Sequence, residues 1–186
     1  MNEGIIASQD PFCIKFSLIR DVDPPLRKTE FSSGIDICCP HYSPEFETEF
    51  CEMNKGSIIT GYGKNENRWY FFIRSHKAVI VPTGLKLNIP KNWFMLLTPK
   101  SGIGIRTRTV LLADTIDQDF QGELKVVLQN TQDDETMKIY FGQAIVQGVL
   151  LPAVYPSLVQ KPPESLYEEV SKRGEGGFGS TGIFHS

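Results

Sequence analysis

Thr98–Asn130, TPKSGIGIRTRTVLLADTIDQDFQGELKVVLQN, places a turn, a carboxylate-rich loop and a strand in close succession. Its opening, Pro99-Lys100-Ser101-Gly102, offers a cation, a hydroxyl and permissive backbone amides together. Successive N–H groups with a Ser/Lys pair suit an anion, because they can surround phosphate oxygens. Further on, Ala113-Asp114-Thr115-Ile116-Asp117-Gln118-Asp119-Phe120-Gln121-Gly122 places two acids, Asp117 and Asp119, and an aromatic ring within four residues, ahead of a glycine. Glu123-Leu124-Lys125-Val126-Val127-Leu128 then reads as a strand. Local sequence alone makes this a β-hairpin with a polar turn, and neighbours in sequence do not identify a carboxylate as catalytic.

Outward from this stretch the chain keeps the same texture. Phe12–Ile19 alternates as a strand does, and Val79–Val81, Leu85–Ile89, Phe94–Leu97 and Ala144–Leu151 are short apolar runs. Pro82, Gly84, Pro90, Pro99, Gly122 and Pro152 bound most of them. No long stretch carries helical periodicity, so short strands with regular turn signals predict an all-β sandwich or barrel. Within Pro40–Lys77, Ser57–Thr60 and Trp69–Ile73 flank Gly61–Asn67, a run of turn formers. That pattern predicts a β-hairpin whose aromatic strand covers the barrel or a neighbouring subunit. After Leu151 the prolines 152, 156, 162 and 163 imply an extended path, with one short turn over Ser165–Val170. The glycine-rich Arg173–Gly182 loses much backbone entropy on ordering. By itself it is either a disordered terminus or an arm, for which Arg173, Phe178, Ser180 and Thr181 supply a phosphate fork, a stacking ring and hydroxyls.

The chain has 186 residues, 40% of them hydrophobic, enough for one globular core. Its net charge of −3 creates no whole-molecule basic field for nucleic acid, so any phosphate chemistry needs a local site. Cys13, Cys38, Cys39 and Cys51 show no metal-ligand spacing. With no signal peptide or long apolar run, they read as buried reduced thiols in a cytoplasmic or nuclear protein outside the membrane.

Pro99–Gly102 and Asp114–Glu123 resemble the second and third motifs of the trimeric dUTP pyrophosphatases, the dUTPases. Ser33-Gly34-Ile35-Asp36-Ile37 is similar to that family's first motif, Gly142–Val149 to its fourth, and Arg173–Gly182 to its fifth. Ordered motifs from Ser33 to Gly182 cover most of the chain. The resemblance implies a distorted jelly-roll-like β-barrel over residues 1–172, with an insertion at about 40–77, and a flexible C-terminal arm over 173–186. It also implies a homotrimer with active sites shared between subunits. The implied reaction is hydrolysis of dUTP to dUMP and pyrophosphate, which keeps uracil out of DNA and supplies dUMP for thymidylate synthesis.

On this resemblance Asp117 orients and deprotonates the attacking water, and Mg2+ rides on the phosphates with Asp36 as an anchor through water. Lys100, Ser101, Gly102 and Gln147 hold the triphosphate, and Arg173, Gly179, Ser180 and Thr181 close over it. Asp114, Thr115, Ile116 and Lys125 belong to the hairpin whose backbone reads uracil, Phe120 packs on the deoxyribose, and Phe178 stacks on the base. The chain departs from the family pattern at Lys100 (usually Arg), Phe120 (usually Tyr), Ala144 (usually Arg), Gly148 (usually a bulky aliphatic residue) and Asp114 (often Gly). A positive φ at Asp114 would be tolerable for that residue type. The competing readings are a dCTP deaminase-like enzyme, with or without both activities, and a nucleotide-binding regulatory homologue. The insertion leaves room for an added protein contact.

Overall fold

The structure, a computed structural model, describes residues 13–100, 102–103, 109–133, 137–169, 171 and 174–175. Its strands are β1 (Lys15–Leu18), β2 (Gly34–Cys38), β3 (Ile58–Gly63), β4 (Arg68–Ile73), β5 (Ala78–Pro82) and β6 (Leu85–Asn88). They continue with β7 (Trp93–Pro99), β8 (Thr109–Leu112), β9 (Thr115–Ile116), β10 (Lys125–Asn130), β11 (Met137–Tyr140) and β12 (Ala144–Pro152). The all-β, jelly-roll-like class expected from the sequence holds. The described strands pair as separate sheets, β1-β6, β5-β10-β8, β11-β4-β3 and β2-β12-β7-β9, and not as one closed barrel.

Alternation explains most of these strands. In β10, Val126, Leu128 and Asn130 are buried while the intervening side chains are less so. In β5, Val79 and Val81 face the core. β12 is antiparallel to both β2 and β7, and a register shift between Ala144 and Val146 buries Ile145 and Val146 together.

One expectation is corrected. The insertion holds a helix, α1 (Pro44–Met53), as well as the hairpin β3–β4. Its start follows the usual capping chemistry: the Ser43 side chain accepts from the Phe46 amide at 3.1 Å, Pro44 occupies the first turn, and Glu45 and Glu47 face the positive end of the dipole. Only Phe46 and Phe50, four residues apart, are buried, so the apolar stripe is too thin to register as a helical period. Phe50 meets the Phe71 ring edge-on at 4.8 Å, and Phe71 meets Phe141 at 5.4 Å. In the aromatic strand β4, between β3 and β11, Phe71 and Ile73 are buried in the core while Trp69, Tyr70 and Phe72 are part-exposed.

Asn54, at the end of α1, ties the helix to an edge strand. Its Oδ1 accepts from the Ile80 amide at 2.8 Å, and its Nδ2 donates to the Ile80 carbonyl at 2.9 Å and the Phe50 carbonyl at 3.1 Å. The carboxamide completes the free edge of β5 as a further peptide unit would. Among the described residues every buried side-chain nitrogen and oxygen has a partner. Cys38, Cys39 and Cys51 are thiols, Cys39 fully buried and the other two half-buried, and burial raises the pKa of each.

The chain divides into two units, Met1–Ala153 and Val154–Ser186. In the second, a 3₁₀ turn spans Pro163–Ser165, and Val154, Leu158 and Tyr167 are exposed. No helix among the described residues is long and apolar enough to cross a membrane.

Asn54→Ala should lower stability by about 2–3 kcal/mol, because it orphans the amide and carbonyl of Ile80. Asn54→Asp, which keeps the shape but loses the donor, should recover only part of this. A urea midpoint for Asn54→Ala equal to wild type at the same protein concentration would refute the anchoring role.

Candidate functional site

The carboxylate-rich hairpin takes its shape from a change of sheet. β8 pairs with β10 up to Leu112↔Val127. At Ala113 the backbone turns with φ +54°. The chain then joins β7 instead: Leu97 donates to the Asp114 carbonyl at 2.7 Å, and Thr115 and Ile116 pair with Leu96 and Met95. Lys125, on the other limb, stays with β5 opposite Pro82. No pairing joins β9 to Leu124–Lys125 among the described residues, so the limbs splay and their facing backbone edges line a slot. The left-handed turn falls on Ala113, so Asp114 does not need the positive φ it could have tolerated.

This slot is a cleft of about 540 Å³. Ala113, Thr115, Ile116, Asp117 and Phe120 form one wall, and Gly122–Lys125 the other. Asp117 is exposed at its mouth, and its carbonyl accepts from the Phe120 amide at 3.2 Å. The Phe120 ring folds over Gly122, where a Cβ would lie 2.7 Å from its Cζ. Gln118 turns away and accepts from the Asn92 amide at 2.6 Å.

Glu123 is the wall residue that sequence reasoning did not single out. It accepts from Arg20 Nε at 2.6 Å and from the Gly84 amide at 2.8 Å. Arg20 also donates to both Glu49 oxygens at 2.7 Å and sits 5.4 Å over the Phe46 ring. The guanidinium clamps α1 to the cleft, and the two carboxylates, Glu123 foremost, hold its pKa above the ordinary arginine value. Arg20 in turn holds the Glu49 carboxyl below its ordinary value. A pairing of residues this far apart in sequence leaves no local signal.

The other predicted residues gather elsewhere. Lys100 Nζ donates to Asp36 Oδ2 at 2.6 Å, with Asp36 buried in β2. Gln147 lies opposite Asp36 on one side and Thr98 on the other, so these side chains share a face. A Cβ on Gly34 would strike the Gln147 side chain, which is why the Ser33-Gly34-Ile35-Asp36 run needs its glycine. Gly102 is open, with nothing among the described residues within 4 Å of where a Cβ would stand. A second cleft, of about 430 Å³, has Lys100, Gly102 and Ile103 on one wall and Lys138, Tyr140, Gln143 and Ala144 on the other. Among the described residues none lines both clefts. Ser101, Arg173, Phe178, Gly179, Ser180 and Thr181 lie outside the described residues. Among the described residues no group of three or more His, Cys, Asp or Glu could hold a metal ion.

Ala113→Gly should stabilise the chain by about 0.5–1 kcal/mol, since alanine is strained at positive φ and glycine is not. Ala113→Val should destabilise it. A melting temperature that falls on Ala113→Gly would show that the turn carries no strain.

A family model described as dUTPase matches residues 67–182. The chain is 38% identical over 108 residues to a deoxyuridine 5'-triphosphate nucleotidohydrolase of Brucella melitensis, an alignment covering 57% of this chain and 66% of the relative. It thus spans just under two thirds of that relative's length. It is 35% identical over 147 residues to the enzyme of that name from Chlamydia pneumoniae, covering 73% of this chain and 98% of the relative. In fold it is similar to a mutant dUTPase of Staphylococcus bacteriophage 80alpha solved with dUpNHpp, with TM-score 0.68 and 21% identity over 92% of this chain and 99% of that one. A mutant dUTPase of phage phi11 of S. aureus, whose structure describes a structural Mg(II) ion, gives TM-score 0.61 at 17% identity over 84% of this chain and 99% of that one. With β4 to β12 inside the matched residues, this chain belongs to the dUTPase family.

Proposed function

We propose that this chain hydrolyses dUTP to dUMP and pyrophosphate, by attack of water on the α-phosphorus. The observation that carries the reading is the splayed hairpin. Edge backbone donors and acceptors flank a slot with Asp117 at its mouth and the Phe120 ring on its wall. A planar base whose edge matches these groups is selected by hydrogen bonding, and cytosine, with the pattern inverted, leaves them unpaired. The Phe120 ring packs on the deoxyribose and excludes a 2′-hydroxyl.

Asp117 accepts a proton from the water as its oxygen bonds to the α-phosphorus. The bond from phosphorus to the bridging oxygen breaks, and pyrophosphate leaves with the electron pair. Lys100, with Ser101, Gly102 and Gln147, neutralises the triphosphate, as catalysis here rests on positioning and charge. The isolated carboxylate of Asp36, already bonded to Lys100, fits an outer contact through water better than a direct metal ligand set. Asp36 would anchor Mg2+ through water, and the ion would supply further charge neutralisation to the triphosphate. Arg173, Phe178, Gly179, Ser180 and Thr181 close over the substrate as an arm, which excludes bulk water.

The base slot and the Lys100 turn line different clefts of one chain, which supports a homotrimer whose sites combine one subunit's slot with another's phosphate cradle. Asp117→Asn should lower dUTP turnover about 10²–10⁴-fold with affinity little changed. Chains ending at Lys172 should also be poorly active. Mixtures of the two, exchanged into common trimers, should recover activity that neither has alone. Activity confined to dCTP in a survey of each dNTP, or inert mixtures despite demonstrated exchange, would overturn the respective parts of this reading.

A further inference from the structure

We propose that Lys138 of β11 is a second substrate-positioning cation, which with Lys100 forms a subsite for the terminal phosphates of the nucleoside triphosphate and for the pyrophosphate product. The proposal rests on the hydrolase reading above and names residues that no motif supplies.

The two lysines line the same cleft of about 430 Å³ from different elements, Lys100 from the end of β7 and Lys138 from β11. Among the described residues no carboxylate lines that cleft, although the chain as a whole is acidic at −3. Ala144, with only a methyl group, stands on the wall beside Lys138. A concave site that presents two ammonium groups, each paired with a single carboxylate, attracts a small anion of multiple charge that outcompetes those pairs. The terminal phosphates or pyrophosphate fit this description, and the Lys100 turn already serves that chain of phosphates in the proposed reaction.

The lysines are held differently. Lys100 is bound to the buried Asp36 and so is fixed to the sheet. The Lys138 ammonium lies 4.3 Å from the Tyr70 ring centroid and 4.9 Å from that of Tyr140, so two aromatic faces aim it. Its remaining partner is Glu66 Oε1, at 3.2 Å across a part-exposed pair. Such exposed pairs contribute little net stability, so a phosphate of higher charge displaces Glu66 readily. The tyrosine faces keep the head in place during the exchange. Bonds to Tyr140 and then Glu66 hold the Lys138 pKa above its ordinary value, so the head stays charged at neutral pH.

The test is calorimetric titration of the full chain with inorganic pyrophosphate, beside steady-state dUTP kinetics. Lys138→Met, which keeps most of the methylene stem, should weaken pyrophosphate binding about tenfold and raise KM for dUTP several-fold, with kcat within about twofold. Affinity for dUMP, which lacks the terminal phosphates, should not move. Lys138→Arg keeps the charge and the ring stacking and should restore binding. Glu66→Gln, which removes the internal competitor, should tighten it about two- to threefold. Pyrophosphate affinity unchanged in Lys138→Met, or equally weak in Lys138→Arg, overturns the subsite. Charge-dependent pyrophosphate binding in a wild-type chain that turns over no dUTP would support the subsite while refuting the hydrolase reading.

Discussion

The chain cannot keep one continuous sheet through Ala113, and the candidate site depends on that constraint. Up to Leu112 the strand pairs with β10; beyond Ala113 it pairs with β7. The facing edges of β9 and Leu124–Lys125 are left without strand partners, a state that folded proteins normally avoid in exposed strands. Here the unpaired edges line a concave slot and are protected by its walls. The same splaying gives the Phe120 ring room to fold over Gly122.

Charge follows a similar logic of local placement within an acidic chain. Asp36 fixes Lys100 to the central sheet, and two tyrosine rings fix Lys138 beside the same cleft. Neither lysine needs a basic surface around it. The cations are confined to one concavity, so the field they create acts on a ligand within it and is screened beyond roughly 8–10 Å at ordinary ionic strength.

The insertion is part of this architecture. Its helix docks through Phe46 and Phe50 into the aromatic core, Asn54 completes the edge of β5, and the Glu49–Arg20–Glu123 bridge reaches the wall of the base slot. Arg20 also packs tightly on Gly84, whose φ of +69° and amide bond to Glu123 shape the turn between β5 and β6. Three elements far apart in sequence thus set where Glu123 and Lys125 stand.

Much of this was legible in the sequence. Alternating apolar residues bounded by Pro and Gly determined the strands β5, β6, β7, β10 and β12, because a half-buried strand writes its period directly into the chain. The candidate motif residues, from Asp36 to Gln147, could be singled out only through their ordered resemblance to a known family, since the local sequence alone reads as a hairpin with a polar turn. The helix α1 was not, since two buried phenylalanines are too few to set a period, although Ser43-Pro44-Glu45 does spell a helix start. What only the tertiary structure decided were the pairings: Arg20 with Glu123, Asn54 with Ile80, Lys138 with Tyr70 and Tyr140, and the left-handed turn at Ala113. Each joins or aims groups through a fold that brings distant segments together, and a one-dimensional pattern holds no record of contacts made across it.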